Sequence, residues 1–164
     1  MVRSYGMSRK ESAGAIMHEI HPSAKLAPDV RVWQFATICA LTEIGEGSVI
    51  GSCAWVGKDC RIGKNVHIQH GAFIPNGSII EDHVFIGPNA TLTDDKYPRS
   101  GNKHYIAQPP RICMGASIGA GAVILPGIIV GPGAMVAAGA VVTSNIAHGD
   151  VAIGVPARSV YHTL

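Results

Sequence analysis

The sequence predicts an all-β solenoid built in six-residue steps, and three observations predict it. From Ile20 to Leu92 every sixth residue is aliphatic: Ile20, Leu26, Val32, Ile38, Ile44, Ile50, Val56, Ile62, Ile68, Ile74, Ile80, Ile86 and Leu92. A helix would return apolar residues at three and four and a half-buried strand at two; a strict six belongs to parallel β-helices of short repeats. Glycine follows the aliphatic residue at 45, 51, 57, 63 and 87, where it suits a corner needing unusual backbone angles. A small or modest residue stands two places before it, at Thr42, Ser48, Ala54, Cys60, Ala72, Ser78 and Ala90. If three steps close one coil, Ile50, Ile68 and Ile86 stack in one interior column and Ile44, Ile62 and Ile80 in the next.

Residues 1–19 mix charge, glycine and serine without a period, and read as an N-terminal extension, either mobile or an irregular helix, with a cap over the first coil as a further option; the solenoid domain is taken as 20–164. The ladder breaks at 93–111, TDDKYPRSGNKHYIAQPPR, which holds three prolines and no aliphatic repeat. A loop of that length in a compact domain is functional or disordered. The ladder resumes through Ile112, Ile118, Ile124, Val130, Val136 and Val142 in a shifted phase. This second block, with IGAGAV, VGPGAM and VAAGAV, carries little side-chain bulk, so backbone amides are accessible along it. Positions 148 and 154 are His148 and Gly154, so the solenoid is expected to end after Val142 and the tail to cap its last open coil.

Composition bounds the function. A hydrophobic content of 47% with 15% charged residues describes a globular chain, not a disordered one. The formal charge of +2 and the scattered aromatic residues argue against a nucleic-acid surface. No run approaches a membrane span. The four cysteines, Cys39, Cys53, Cys60 and Cys113, lack C-x-x-C spacing and read as small core hydrophobes, so no metal site is expected. Reduced cysteines without a secretory leader place the chain in the cytoplasm.

The repeat resembles the left-handed parallel β-helix of the hexapeptide-repeat acyltransferases, in which three hexapeptides make one triangular coil. Ile153, Gly154, Val155, Pro156, Ala157 and Arg158 match the closing I/V-G-x-P-A-[RK] of those enzymes. Three further stretches are similar to the N-acetyltransferases that act on nucleotide-linked 3-amino sugars for bacterial surface polysaccharides. These are N-V-x-I-Q from Asn65, E-D-x-V-F-x-G-P from Glu81, and the D-K-Y-P-R loop ending at Arg99. The resemblance implies acetyl-CoA as co-substrate, a dTDP- or UDP-linked amino-deoxy sugar as acceptor, and a homotrimer with each site between neighbouring prisms.

The chain departs from that family where an asparagine commonly follows I-Q: here stands His70, beside Gln69. An imidazole at the amine site can both bind and deprotonate, and its pKa suits general-base work near neutrality. His104, in the excursion, is the competing base, and the sulfur of coenzyme A the third possibility. Arg99 offers a forked donor for a diphosphate and Tyr97 a ring for a base, with Gln69, Asp95 and His104 as further substrate contacts. Eighteen residues separate Ala122 from Ala140 and Ala140 from Arg158, so a column of small residues leads to a cation, an arrangement suited to a pantetheine arm and a nucleotide phosphate. Gly121, Ala122, Gly139, Ala140, Pro156 and Arg158 are therefore the candidate acetyl-CoA contacts. The alternatives are an acetyltransferase for serine or a free sugar, a γ-type carbonic anhydrase, and a non-catalytic scaffold. The carbonic anhydrases resemble one another in an H-x-x-x-x-H pair that this sequence lacks.

Overall fold

The computed structural model describes residues 17–162, so the proposed cap within 1–16 lies outside the described residues. The chain winds as a left-handed parallel β-helix of about seven coils with no helix among the described residues. Each hexapeptide supplies a two-residue strand, and strands a coil apart pair in parallel register. Sheet I stacks Glu19–Ile20, Thr37–Ile38, Trp55–Val56, Phe73–Ile74, Thr91–Leu92, Val123–Ile124 and Val141–Val142. Sheet II stacks Lys25–Leu26, Glu43–Ile44, Arg61–Ile62, Ile79–Ile80, Arg111–Ile112 and Ile129–Val130. Sheet III stacks Arg31–Val32, Val49–Ile50, His67–Ile68, Phe85–Ile86, Ser117–Ile118, Met135–Val136 and Asp150–Ile153, with Arg158–His162 added antiparallel at the end.

The second residue of each two-residue strand points inward. Ile38, Ile50, Val56, Ile68, Ile74, Ile80, Ile86, Leu92, Ile112, Ile118 and Ile124 are essentially inaccessible, while Ile20, Leu26 and Val32 of the first coils are only half-buried. The small residue two places earlier fills the corner from inside. Where it is polar, a backbone carbonyl satisfies it: Thr42 Oγ1 donates to Gly57 O at 2.6 Å and Ser48 Oγ to Gly63 O at 2.9 Å in the neighbouring coil, and Ser78 Oγ to Pro75 O at 2.8 Å in its own turn. Burial without a lost hydrogen bond is what lets Thr and Ser share positions with Ala.

Three expectations are corrected. The glycines after the aliphatic residue do not supply a left-handed backbone. They are needed for closeness: a Cβ on Gly51 would lie 2.5 Å from His70 N and one on Gly87 2.7 Å from Ala120 N. Positive φ falls two residues later in each corner, at Phe35, Leu41, Cys53, His83 and Asn89 in the first block and at Gly121, Gly133 and Gly139 in the second. Cys53, exposed at such a turn, is therefore not a core residue, although Cys60 and Cys113 are buried. Finally, the solenoid outlasts Val142. Ile146 bridges to Val130 and Ala152 pairs with Val136, both buried, because the chain takes a four-residue step before resuming six.

The excursion does not disturb the register. Phe73 pairs with Thr91 and Thr91 with Val123, so the loop inserts fourteen residues at one corner and the ladder continues above it. The corner between sheets II and III is tied down by charge. Glu81 accepts from Arg111 Nε and from the Met114 N–H, each at 2.8 Å, and these donors, Arg111 first, hold its carboxyl below the usual range. A depressed carboxylate contributes stability above its unfolded pKa of about 4.3 that is lost as pH falls through the folded value. Glu81→Gln is expected to lower the urea midpoint at pH 7 by a margin that shrinks as the pH is taken down into the acid range; a gap that does not change with pH would show that the charge is not the cause.

Candidate functional site

His70 lies on the corner between sheets III and I, and the chain returns to that corner once per coil. Backbone bonds trace the column upward: the Gly71 N–H donates to Ser52 O at 2.9 Å, Asn89 to His70 O at 2.9 Å, Gly121 to Pro88 O at 2.8 Å, and Gly139 to Ala120 O at 2.9 Å. Above them the turn after Ile153 closes the same corner, with the Val141 N–H on Gly154 O at 3.1 Å. At about 4.8 Å per coil, Gly121 stands ~10 Å and Gly139 ~14 Å above Gly71. One edge thus carries Gln69, His70, Gly121, Gly139 and the Pro156–Arg158 turn.

On the other two edges three second turn residues have their N–H capped by a side chain, Lys58 by Asn76 and Lys64 by Asp82, both at 2.8 Å, and Met114 by Glu81, while those of Ala40, Glu46, Asn76 and Asp82 have no acceptor among the described residues. In the His70 column the residues that would cap are His70, Pro88 and Ala138, none of which reaches back. Among the described residues the N–H groups of Ser52, His70, Ala120 and Ala138 have no acceptor, and the last three residues are exposed. Exposed, fixed donors in a row suit a ligand rich in carbonyl and phosphate oxygens.

The cofactor candidates divide. Gly121 and Gly139 are exposed, but Ala122 and Ala140 are buried corner residues with no surface to offer. Arg158 is not a coil above Ala140 in parallel register, because the chain has reversed into an antiparallel strand; it is exposed beside the turn and donates to Ala157 O at 2.9 Å. Pro156 is exposed and follows a cis bond. Sequence reasoning gave no role to Asn89, whose Oδ1 overlies Gly71 so closely that a Cβ there could not fit. The signal was present, since Asn89 follows Gly71 by one coil.

The excursion leaves from the next corner, between sheets I and II. Tyr105 donates to Asp94 Oδ2 at 2.6 Å, which pushes the phenol up to about 12, and the Gln108 N–H donates to Asp94 O at 2.8 Å. Asp95 accepts from the Tyr97 N–H at 2.9 Å and so orders the turn instead of facing outward alone. Tyr97, Arg99 and His104 are exposed. Within one chain these residues do not adjoin His70; sheet I lies between, roughly 13 Å for the four steps from Gly71 to Pro75.

The remaining chemistry is quiet. Burial pushes the Cys60 thiol up to about 11 and raises Cys39 and Cys113, so these are poor nucleophiles. No three metal-ligating side chains converge among the described residues, nor is any helix there long and apolar enough to cross a membrane.

A family model described as bacterial transferase hexapeptide, six repeats, matches residues 59–94 and 109–144. Over those residues the chain carries hexapeptide repeats. Comparison with curated proteins gives no match. Among solved structures the repeats are similar to the acetyltransferase domain of PglB from Neisseria gonorrhoeae FA1090, at 26% identity over 88% of this chain with a TM-score of 0.63. This chain spans only 58% of that one. The same domain in complex with acetyl coenzyme A matches at 25% identity and a TM-score of 0.61, again over 88% of this chain and 58% of that one. A hexapeptide-repeat acetyltransferase from Vibrio cholerae O1 biovar eltor, also complexed with acetyl coenzyme A, matches at 27% identity with a TM-score of 0.66, covering 73% of this chain and 69% of that one.

Proposed function

We propose that this protein transfers an acetyl group from acetyl-CoA to the amine of a nucleotide-linked amino sugar. The observation that carries the reading is the single edge on which His70, the uncapped amides of Ala120 and Ala138, and the closing turn at Pro156–Arg158 follow one another. Two of the similar acetyltransferase structures are acetyl-CoA complexes, which supports the donor; the three motifs around His70 and the loop support the acceptor. The neutral amine attacks the thioester carbonyl, the new N–C bond forms as the C–S bond breaks, and His70 takes the amine proton and returns it to the departing sulfur. Fixed N–H donors of the column oppose the charge that develops on the carbonyl oxygen. In this reading Gly121 and Gly139 leave room for the extended arm of the donor, and Arg158 takes a phosphate. Ala122 and Ala140 act only by keeping the corner narrow.

In this reading the nucleotide is thymidine or uridine diphosphate, held by Arg99 and Tyr97, with Asp95 fixing their loop. The protein works as a cytoplasmic homotrimer in surface polysaccharide synthesis. Thiol release from acetyl-CoA, with dTDP- and UDP-linked 3-amino and 4-amino sugars beside free glucosamine and serine, tests it. Activity confined to a nucleotide-linked amino sugar is expected, and activity with serine alone overturns the acceptor. Arg99→Ala is expected to raise the KM of the sugar about tenfold, the scale of one charge-assisted phosphate contact, with the KM of acetyl-CoA unchanged.

A further inference from the structure

We infer that Phe73 is the platform on which the acceptor's sugar ring lies, an inference that rests on the transferase reading and adds a positioning residue to it. Sheet I is the only face bounded by both the His70 corner and the excursion, so an acceptor held by the loop and presented to His70 crosses it. Glu19 is the outward residue of its first rung, and from the second rung upward the outward residues are Thr37, Trp55, Phe73, Thr91, Val123 and Val141, all uncharged. Trp55 and Phe73 stack with centroids 4.7 Å apart and planes within 5°, so the rings lie as successive rungs. Phe73 remains 39% exposed, and the next rung, in register above it, is the small Thr91. The far face of the Phe73 ring therefore has a gap about one coil high, ~4.8 Å, suited to a flat partner.

The positions agree along the length of the acceptor. Phe73 follows His70 by three residues, roughly 10 Å of chain folded around a corner. Thr91 is two residues before the loop, where Lys96, Arg99 and Lys103 are exposed and within ion-pair distance of no carboxylate among the described residues. A pyranose on Phe73 would place its amine at His70 and its diphosphate toward those cations. Phe85 on sheet III is equally exposed, but its face does not border the excursion that carries those cations. A C–H face on an aromatic ring is a contact of the size that stacking supplies, about tenfold in affinity.

The test is steady-state thiol release with dTDP-linked and UDP-linked 3-amino-6-deoxyglucose. Phe73→Ala is expected to raise the acceptor KM about tenfold while kcat and the acetyl-CoA KM stay within twofold. Phe73→Tyr restores the affinity; Phe73→Leu, apolar but not flat, does not. Thr91→Phe, which keeps the Trp55–Phe73 stack and fills the gap, produces the same loss, and Phe85→Ala none. An unchanged KM in Phe73→Ala, full affinity in Phe73→Leu, or a sedimentation mass altered by Phe73→Ala overturns the inference, the last by giving the face to another copy of the chain. Wild-type activity with free glucosamine or serine and with neither diphosphate overturns the platform and leaves an acetyltransferase; no thiol release with any acceptor overturns both.

Discussion

Replacing His70 with alanine is expected to lower the turnover of acetyl transfer roughly 10²-fold or more, the range a positioned general base supplies, while acetyl-CoA affinity stays within about twofold. The corner permits a clean reading. His70 is exposed, its backbone alone is used by the ladder, and its column neighbours Ser52 and Pro88 are small. The substitution removes an imidazole without opening a cavity, and surface changes of that kind rarely move stability by more than about 0.5 kcal/mol. The pH profile separates a base from a binding group: loss of the base removes the acidic limb of kcat/KM, whereas loss of a contact lowers the whole curve. A rate within threefold of wild type from pH 6 to 9 would sink the assignment and pass the proton to His104 or to the thiolate leaving group. His104→Ala is the companion measurement, since that residue sits on the loop across sheet I with its backbone N–H on Asn102 Oδ1 at 2.9 Å.

The difference between the two histidines also shows what the sequence could reveal. The interior was legible because the first block puts an aliphatic residue at every inward position, and nothing but a six-residue coil satisfies that pattern. Ile146 and Ala152 were missed because one four-residue step breaks the count while the inward direction is kept. The left-handed turn residues were assigned to the wrong place in the unit because Phe35, Leu41 and Cys53 occupy such positions where no glycine marks them.

The site was half legible for a similar reason. Ser52 and Pro88 could be stacked with His70 by counting eighteen, but above Leu92 the excursion adds fourteen residues, which is no multiple of six. The pairing of Thr91 with Val123 and the Gly121 N–H on Pro88 O show that Ala120–Gly121 and Ala138–Gly139 share the His70 edge. The uncapped amides were readable in principle: Asn76 and Asp82 cap the residue eighteen before them, and Pro88, in the equivalent place for His70, cannot. The excursion's own contacts, such as Tyr105 with Asp94, follow no repeat and had no sequence signal.

Ile68→Ala is expected to destabilise the fold by about 2–5 kcal/mol, as burial-to-cavity substitutions of this size do. Ile68 is inaccessible and stacks between Ile50 and Ile86 in the interior column directly before the His70 corner. The strands are two residues long, so each coil presents one inward side chain per face, and no other residue of that strand can close the gap. His67, the other half of the same strand, points outward and is exposed; His67→Ala should stay within about 0.5 kcal/mol. Denaturant midpoints of the two variants give the comparison directly. Because a coil contacts only its neighbours, the loss at Ile68 is also expected to appear as faster hydrogen exchange at Val49, Gly51 and Gln69, whose N–H groups bond the adjacent coils there, before any change near Val136. Uniform exchange along the whole prism would mean that the solenoid unfolds as one unit, and the site's rigidity would then depend on every coil instead of on those adjoining it.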